Sequence, residues 1–208
     1  MCFIRKKNEY LSYRFPNKAE LDFIVAHEMG HLITTYVLKK EAPMISVERY
    51  GDVCGLVTLG EKSERKEELL KRSELEDELT ICLGGLASEK VIMNDMTVGS
   101  TSDIDKAGGL IRAALVSGLF GLEYYQLGYT GSEYRDDIYV NQEHEARIAN
   151  LTTKLMTEAF DRAVQIIQEN VHIYHKLAPE LKREGMLSSE RVQELLEQDD
   201  APEQKEAV

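Results

Sequence analysis

Apolar residues at Leu21, Ile24, Val25, Met29, Leu32, Ile33, Tyr36 and Val37 recur three and four positions apart. That spacing predicts an amphipathic helix ending near Lys39-Lys40, whose charges suit a C-terminal helix end. Asn17 is placed to cap its start, with Glu20 three residues on as a capping-box partner. The period then falls to two. Ile45, Val47 and Arg49 alternate with polar residues, Gly51-Asp52 offers a two-residue turn, and Val53 to Leu59 returns as the second strand of a hairpin. Helical spacing resumes at Ser73, which with Glu76 reads as a capping box, with Leu75, Leu79, Cys82, Leu83 and Leu86 inward. Gly84-Gly85 inside this helix disfavours it by about 1 kcal/mol each relative to Ala, which points to close approach of another backbone or to a bend. Thr97 to Asp103 is a turn feeding a helix with Ile104, Ala107, Ile111 and Leu115 inward. Residues 118–140 are irregular and rich in Tyr and Gly. A long helix runs from Asn141 through Ile148, Leu151, Leu155, Ala159, Ala163 and Ile166-Ile167. Pro179 starts or kinks a segment ending at Gly185, and Ser188/Ser189 cap a last helix through Leu195-Leu196. The pattern describes a mainly α fold with a small β-sheet or hairpin.

Residues 1–16 read as an extended lead-in, 61–72 as a solvated helix or loop, and 197–208 as an acidic, disordered tail. With no internal repeat and no linker, 1–196 is expected to form a single domain. A length of 208 residues, 43% hydrophobic and 30% charged, suits a globular protein with a sizeable core. No apolar run reaches membrane-spanning length, and Met-Cys-Phe-Ile-Arg-Lys-Lys is wrongly ordered for a signal peptide. Cys2, Cys54 and Cys82 are odd in number and lack C-x-x-C spacing, which suggests a reduced, cytoplasmic setting. The net charge of −12 is uneven, with +1 in residues 1–60 and −13 beyond. That balance argues against nucleic acid or an anionic membrane as partner, since both require a basic footprint.

The candidate chemistry sits in the first helix. Val25-Ala26-His27-Glu28-Met29-Gly30-His31 contains H-E-x-x-H. Residues four apart on a helix share a face, so His27 and His31 can grip one metal ion, and Glu28 can reach a water held there as general base. A buried histidine pair with no metal would be costly unless both rings were hydrogen-bonded. His172 and His175, three apart, have a spacing that can share a metal but lack a neighbouring carboxylate motif, and read as exposed or partner-facing. Asp103 falls at a helix start, where a carboxylate most often caps or meets the dipole and less often binds metal. Gly55-Leu-Val-Thr-Leu-Gly60-Glu61-Lys62 looks briefly like a phosphate loop but lacks the Gly-Lys-Ser/Thr ending.

Three stretches in order resemble the peptidase domain of the FtsH-type proteases, which are membrane-bound, ATP-driven zinc endopeptidases. They are the His27–His31 motif, then Glu74-Leu75-Glu76-Asp77 running into Leu83-Gly84-Gly85-Leu86-Ala87-Ser88-Glu89, then Val98-Gly99-Ser100-Thr101-Ser102-Asp103-Ile104. The C-terminal Ser189-Glu-Arg-Val192-Gln-Glu-Leu195-Leu196 is also similar, and the likeness covers roughly residues 10–197. The resemblance implies a mostly helical peptidase domain with a zincin-like helix. It implies zinc held by His27, His31 and Asp103, with Glu28 as catalytic base. Glu89 matches an acid close to the family's site, where it orients a ligand or serves as a third ligand. Leu86 stands where the family usually has Arg, and Gly108 where Thr is usual. These departures, with the poorly matched 118–140 loop, bear on substrate preference and ring contacts. The expected activity is zinc-dependent endoproteolysis of peptides or unfolded proteins, without an ATPase in these residues. An ATPase in trans and a homo-oligomer are partners the resemblance admits. The competing readings are a proteolytic subunit served by a separate ATPase and a non-catalytic binding module that keeps the fold.

Overall fold

The computed structural model describes residues 18–50, 53–59, 71–124 and 142–197. Its elements follow in the order α1 (Lys18–Lys39), β1 (Met44–Tyr50), β2 (Val53–Thr58), α2 (Arg72–Cys82), α3 (Gly84–Ser88), a π-helical turn (Glu89–Met93), a 3-10 turn (Val98–Ser100), α4 (Thr101–Val116), a 3-10 turn (Leu122–Tyr124), α5 (Gln142–Glu169), α6 (Val171–Glu184), β3 (Met186–Leu187) and α7 (Ser189–Glu197). The fold is mostly helical with a small antiparallel sheet, as the sequence pattern predicts. The Asn17 cap, the Gly51-Asp52 turn, the lead-in, most of 61–72, most of the 118–140 segment and nearly all of the 197–208 tail lie outside the described residues.

Helix α1 is the centre of the molecule. Val25, Ala26, Met29, Leu32 and Ile33 are fully buried and join Ile45 and Val47 of β1, Ala163 and Ile167 of α5, Leu177 and Leu181 of α6, and Val192 of α7 in one core. A second cluster joins Leu75 and Leu79 of α2, Ile111 and Leu115 of α4, and Leu155 and Ala159 of α5. Phe160 packs against both. Ion pairs from Lys39 to Glu78 (2.7 Å), Arg162 to Asp77 (2.8 Å) and Lys182 to Asp22 (2.6 Å) pin neighbouring helices at their solvent edges.

The hairpin gains a third strand that the pattern did not reveal, because β3 is only two residues long. Ile45 pairs with Leu187 and Ser46 with Met186, giving the order β2-β1-β3. Gly185 makes this possible: at φ 78 it closes α6 in the left-handed region, and its carbonyl accepts from the Val47 N–H at 2.9 Å.

Several helix boundaries differ from the sequence reading. Helix α2 opens at Arg72, so the reciprocal acid is Glu74, whose carboxylate accepts the Lys71 N–H at 3.0 Å, and Ser73 lies inside the first turn. Leu86 is half-buried rather than inward. Pro179 does not start a helix but lies inside α6, which ends at the Gly185 cap as expected. Its missing N–H releases only the carbonyl of exposed His175, on the solvent side where water can meet it. Ser188 caps α7 as expected, its Oγ accepting the Arg191 N–H at 3.3 Å.

Candidate metal centre

One turn apart on α1, His27 and His31 direct their Nε2 atoms to one point, 3.1 Å from each other. Asp103 comes from the first turn of α4, and its Oδ2 lies 3.0 Å from His27 Nε2 and 3.3 Å from His31 Nε2. Tetrahedral ligands at zinc bond lengths of about 2.0–2.1 Å stand about 3.3–3.4 Å apart. The triangle is therefore close to the size that such an ion spans, and its donor set of two imidazoles and a carboxylate suits zinc. Among the described residues these are the set of three His, Cys or acidic side chains close enough to share an ion.

The far side of each imidazole is fixed by an acceptor. His31 Nδ1–H donates to the Ile81 carbonyl at 2.8 Å, and a carbonyl can only accept, so the proton is on Nδ1 and the Nε2 lone pair faces the cluster. His27 Nδ1 is 2.8 Å from Glu89 Oε1. Glu89, 1% exposed, stands on the π-helical turn directly after α3. Its other oxygen accepts the Thr97 N–H at 2.6 Å, and Ser100 Oγ lies 3.4 Å from both Oε1 and His27 Nδ1. The carboxylate thus meets the Nδ1 edge of the ring, opposite the cluster, a position from which it can orient His27.

The electrostatics favour a cation. Burial pulls the His27 pKa down, but the hydrogen bond with Asp103, the charge of Glu28 and the hydrogen bond with Glu89 outweigh it and raise the value to about 9. Asp103 experiences burial in the opposite sense, yet its bonds to His27 and His31 hold its carboxyl well below the usual carboxylate range. Glu28, 6% exposed, is raised to about 7 by burial, against the opposing pull of His31 and His27. A buried carboxyl poised near neutrality is suited to accept and return a proton.

A model of peptidase family M41 matches residues 14–195. The chain belongs to this family. Its curated relatives include the ATP-dependent zinc metalloprotease FtsH of Lancefieldella parvula, 27% identical over 94% of this chain and 30% of that protein. The FtsH of Paraburkholderia phymatum is 28% identical over 94% of this chain and 31% of its own length. FtsH 1 of Petrotoga mobilis is 24% identical over 90% of this chain and 30% of its own length. The chain thus spans just under a third of the length of these relatives. Among the described residues no helix is long and apolar enough to cross a membrane.

In this M41 chain the structure brings all five sequence-chosen residues, His27, Glu28, His31, Glu89 and Asp103, into one neighbourhood. His172 and His175 are exposed on α6 and lie outside it. Cys82 is buried, and burial pushes its thiol up to about 11, so it has no nucleophilic character. The sequence reading missed the Ile81 carbonyl and the Thr97 amide, which act through backbone and leave no side-chain signature, and Ser100. It did flag Gly84-Gly85. A Cβ on Gly84 would lie 2.8 Å from the Gly30 carbonyl oxygen, so α1 and α3 touch backbone to backbone. A Cβ on Gly85 would lie 2.5–2.7 Å from ring atoms of His27. The helix is also interrupted at this point, because α2 stops after Cys82 and α3 begins at Gly84.

Proposed function

We propose that this chain is a zinc-dependent endopeptidase that hydrolyses peptides and unstructured proteins. The observation that carries the reading is the triangle of His27 Nε2, His31 Nε2 and Asp103 Oδ2, at 3.0–3.3 Å, beside the buried carboxyl of Glu28. His27, His31 and Asp103 hold the ion, and three protein ligands leave a coordination position open. Zinc bound there supplies Lewis acidity that polarises a peptide carbonyl and acidifies water. Glu28 takes a proton from the attacking water and returns it to the leaving amine. Glu89 keeps the His27 proton on Nδ1, so that Nε2 stays free to bind. Strand β2 is an edge of the sheet, and an edge can hold an extended peptide by main-chain hydrogen bonds.

The test is zinc content together with casein hydrolysis, with and without chelator, for wild type and Glu28→Gln. One zinc per chain and chelator-sensitive cleavage are expected, with hydrolysis falling by about 100- to 10,000-fold in zinc-loaded Glu28→Gln. Wild-type cleavage by that variant would remove Glu28 from its role. Absence of bound zinc in the wild type would move the binding-module reading to the front.

A second reading concerns energy supply. The relatives are named ATP-dependent, and the chain spans just under a third of their length. Its 208 residues carry no Gly-Lys-Ser/Thr phosphate loop. In this reading the chain is a proteolytic unit served by an ATPase in trans. ATP-stimulated proteolysis with a co-purified ATPase favours it. Efficient degradation of a stably folded protein by these residues alone would refute the need for one.

A further inference from the structure

The residue that lies against the Glu28 carboxylate has no side chain. Between the pairs Ser46–Leu56 and Arg49–Cys54 the β1–β2 register slips, so that Val47 and Glu48 on β1 stand opposite Gly55 alone on β2. Gly55 is buried and adopts φ 89, in the left-handed region. A Cβ built there would lie 2.1 Å from Glu28 Oε1, 2.4 Å from Cδ and 2.6 Å from Cγ. These separations are far inside van der Waals contact, so the space that a side chain at 55 would take is the space the carboxylate occupies. Such irregular pairings are concentrated beside active sites, where they re-aim what lies against the strand.

We infer that Gly55 is a positioning residue for the peptidase reaction: by lacking a side chain at the β1–β2 irregularity, it reserves the place from which the Glu28 carboxylate works. This rests on the peptidase reading given above. Swinging the flexible Glu28 side chain aside relieves the overlap, while the φ of 89 adds a backbone strain that Gly55→Ala carries whether or not Glu28 is present. Displacement of a catalytic group by about 1 Å costs on the order of 100-fold in rate. The three atoms nearest to that Cβ all belong to Glu28, so the substitution is expected to reach the carboxylate before it reaches the grip of His27, His31 and Asp103 on zinc.

Two measurements test this. In metal-free protein, a thermal-unfolding cycle compares Gly55→Ala in the wild-type background and in Glu28→Ala, where the obstructing carboxylate is gone. The drop in Tm is expected to be larger with Glu28 present. In zinc-loaded protein, Gly55→Ala is expected to keep one zinc per chain and a KM for a short peptide within about twofold, while kcat falls on the order of 100-fold. Equal drops in Tm in both backgrounds, or wild-type kcat, would overturn the inference. So would loss of zinc in proportion to activity. Failure of Gly55→Ala and also of Gly55→Asn, whose residue better tolerates positive φ, to fold would make Gly55 a requirement of the fold instead. Should the zinc-loaded wild type itself be inert, the peptidase reading fails, and the unfolding cycle still reports whether Gly55 reserves the place of Glu28.

Discussion

Replacing Glu89 by Gln tests the proposal that zinc affinity depends on Glu89 through its hydrogen bond to His27. In the wild type the principal donors to the carboxylate are His27 Nδ1–H at 2.8 Å on Oε1 and Thr97 N–H at 2.6 Å on Oε2, with the Ser100 hydroxyl a longer third donor to Oε1 at 3.4 Å. Glutamine keeps the shape but offers one oxygen and one NH2, so one donor must face a donor. If the oxygen stays on His27, the Thr97 N–H loses its acceptor, but Thr97 is exposed and water can serve it. The remaining bond to His27 is then neutral and about half as strong as a charge-assisted one. If the oxygen turns to Thr97, the NH2 donates to Nδ1, and the imidazole proton moves to Nε2, the atom that binds zinc. These limits bracket a loss of zinc affinity of roughly 10–100-fold, or about 1.4–2.7 kcal/mol. The assay is competition for zinc against a chromogenic chelator at fixed pH, with circular dichroism to confirm the fold. A folded Glu89→Gln protein with wild-type affinity would refute the role. A loss as large as that of His31→Ala would instead make Glu89 a ligand.

Three further outcomes are expected. Asp103→Asn removes the charged member of the triangle and should weaken zinc by more than the roughly 100-fold typical of outer partners, measured by the same competition; unchanged affinity would take Asp103 out of the ligand set. Gly85→Ala places a Cβ 2.5 Å from the His27 ring, which Glu89 prevents from swinging away, so zinc affinity should fall at least about tenfold while kcat per bound zinc stays near wild type. Finally, zinc must displace the His27 proton, whose pKa in the metal-free protein is about 9. The metal binds the deprotonated ring, so below that value the proton competes, and affinity should rise about tenfold per pH unit from 7 towards 9 and then level off. A flat profile over that range would refute it.

What the sequence made legible divides by range of contact. His27 and His31 are four residues apart on one helix, so their convergence follows from helical geometry alone. Asp103 is a different case. At the start of α4 it could as well have been a cap, and nothing local tells the two apart; only the packing of α4 against α1 brings its Oδ2 to the imidazoles. It was assigned through the family resemblance instead. The Ile81 carbonyl is 50 positions from His31, and its availability depends on α2 ending at Cys82. Backbone acceptors of this kind carry no residue type and so no sequence signal. Strand β3 was hidden for another reason: with only Met186 and Leu187, no alternation exists to be read. The register slip at Gly55 likewise disturbs the very period by which the hairpin was recognised.

The two glycines against the site separate its two tasks. Glu28 and His27 are neighbours in sequence, yet a helix turns about 100° per residue, so their side chains leave α1 in different directions. The Glu28 carboxylate meets Gly55 on β2, and the His27 ring meets Gly85 on α3. The proposed base is therefore referenced to the sheet and the proposed metal ligand to the helical layer, whose π-helical turn also carries Glu89. Perturbations should sort accordingly. Changes that shift β2 against α1 are expected to reach turnover before zinc, and changes at the α3 contact are expected to reach zinc before turnover per bound ion. Loss of both together from a substitution confined to β2 would show that the two references are one rigid unit after all.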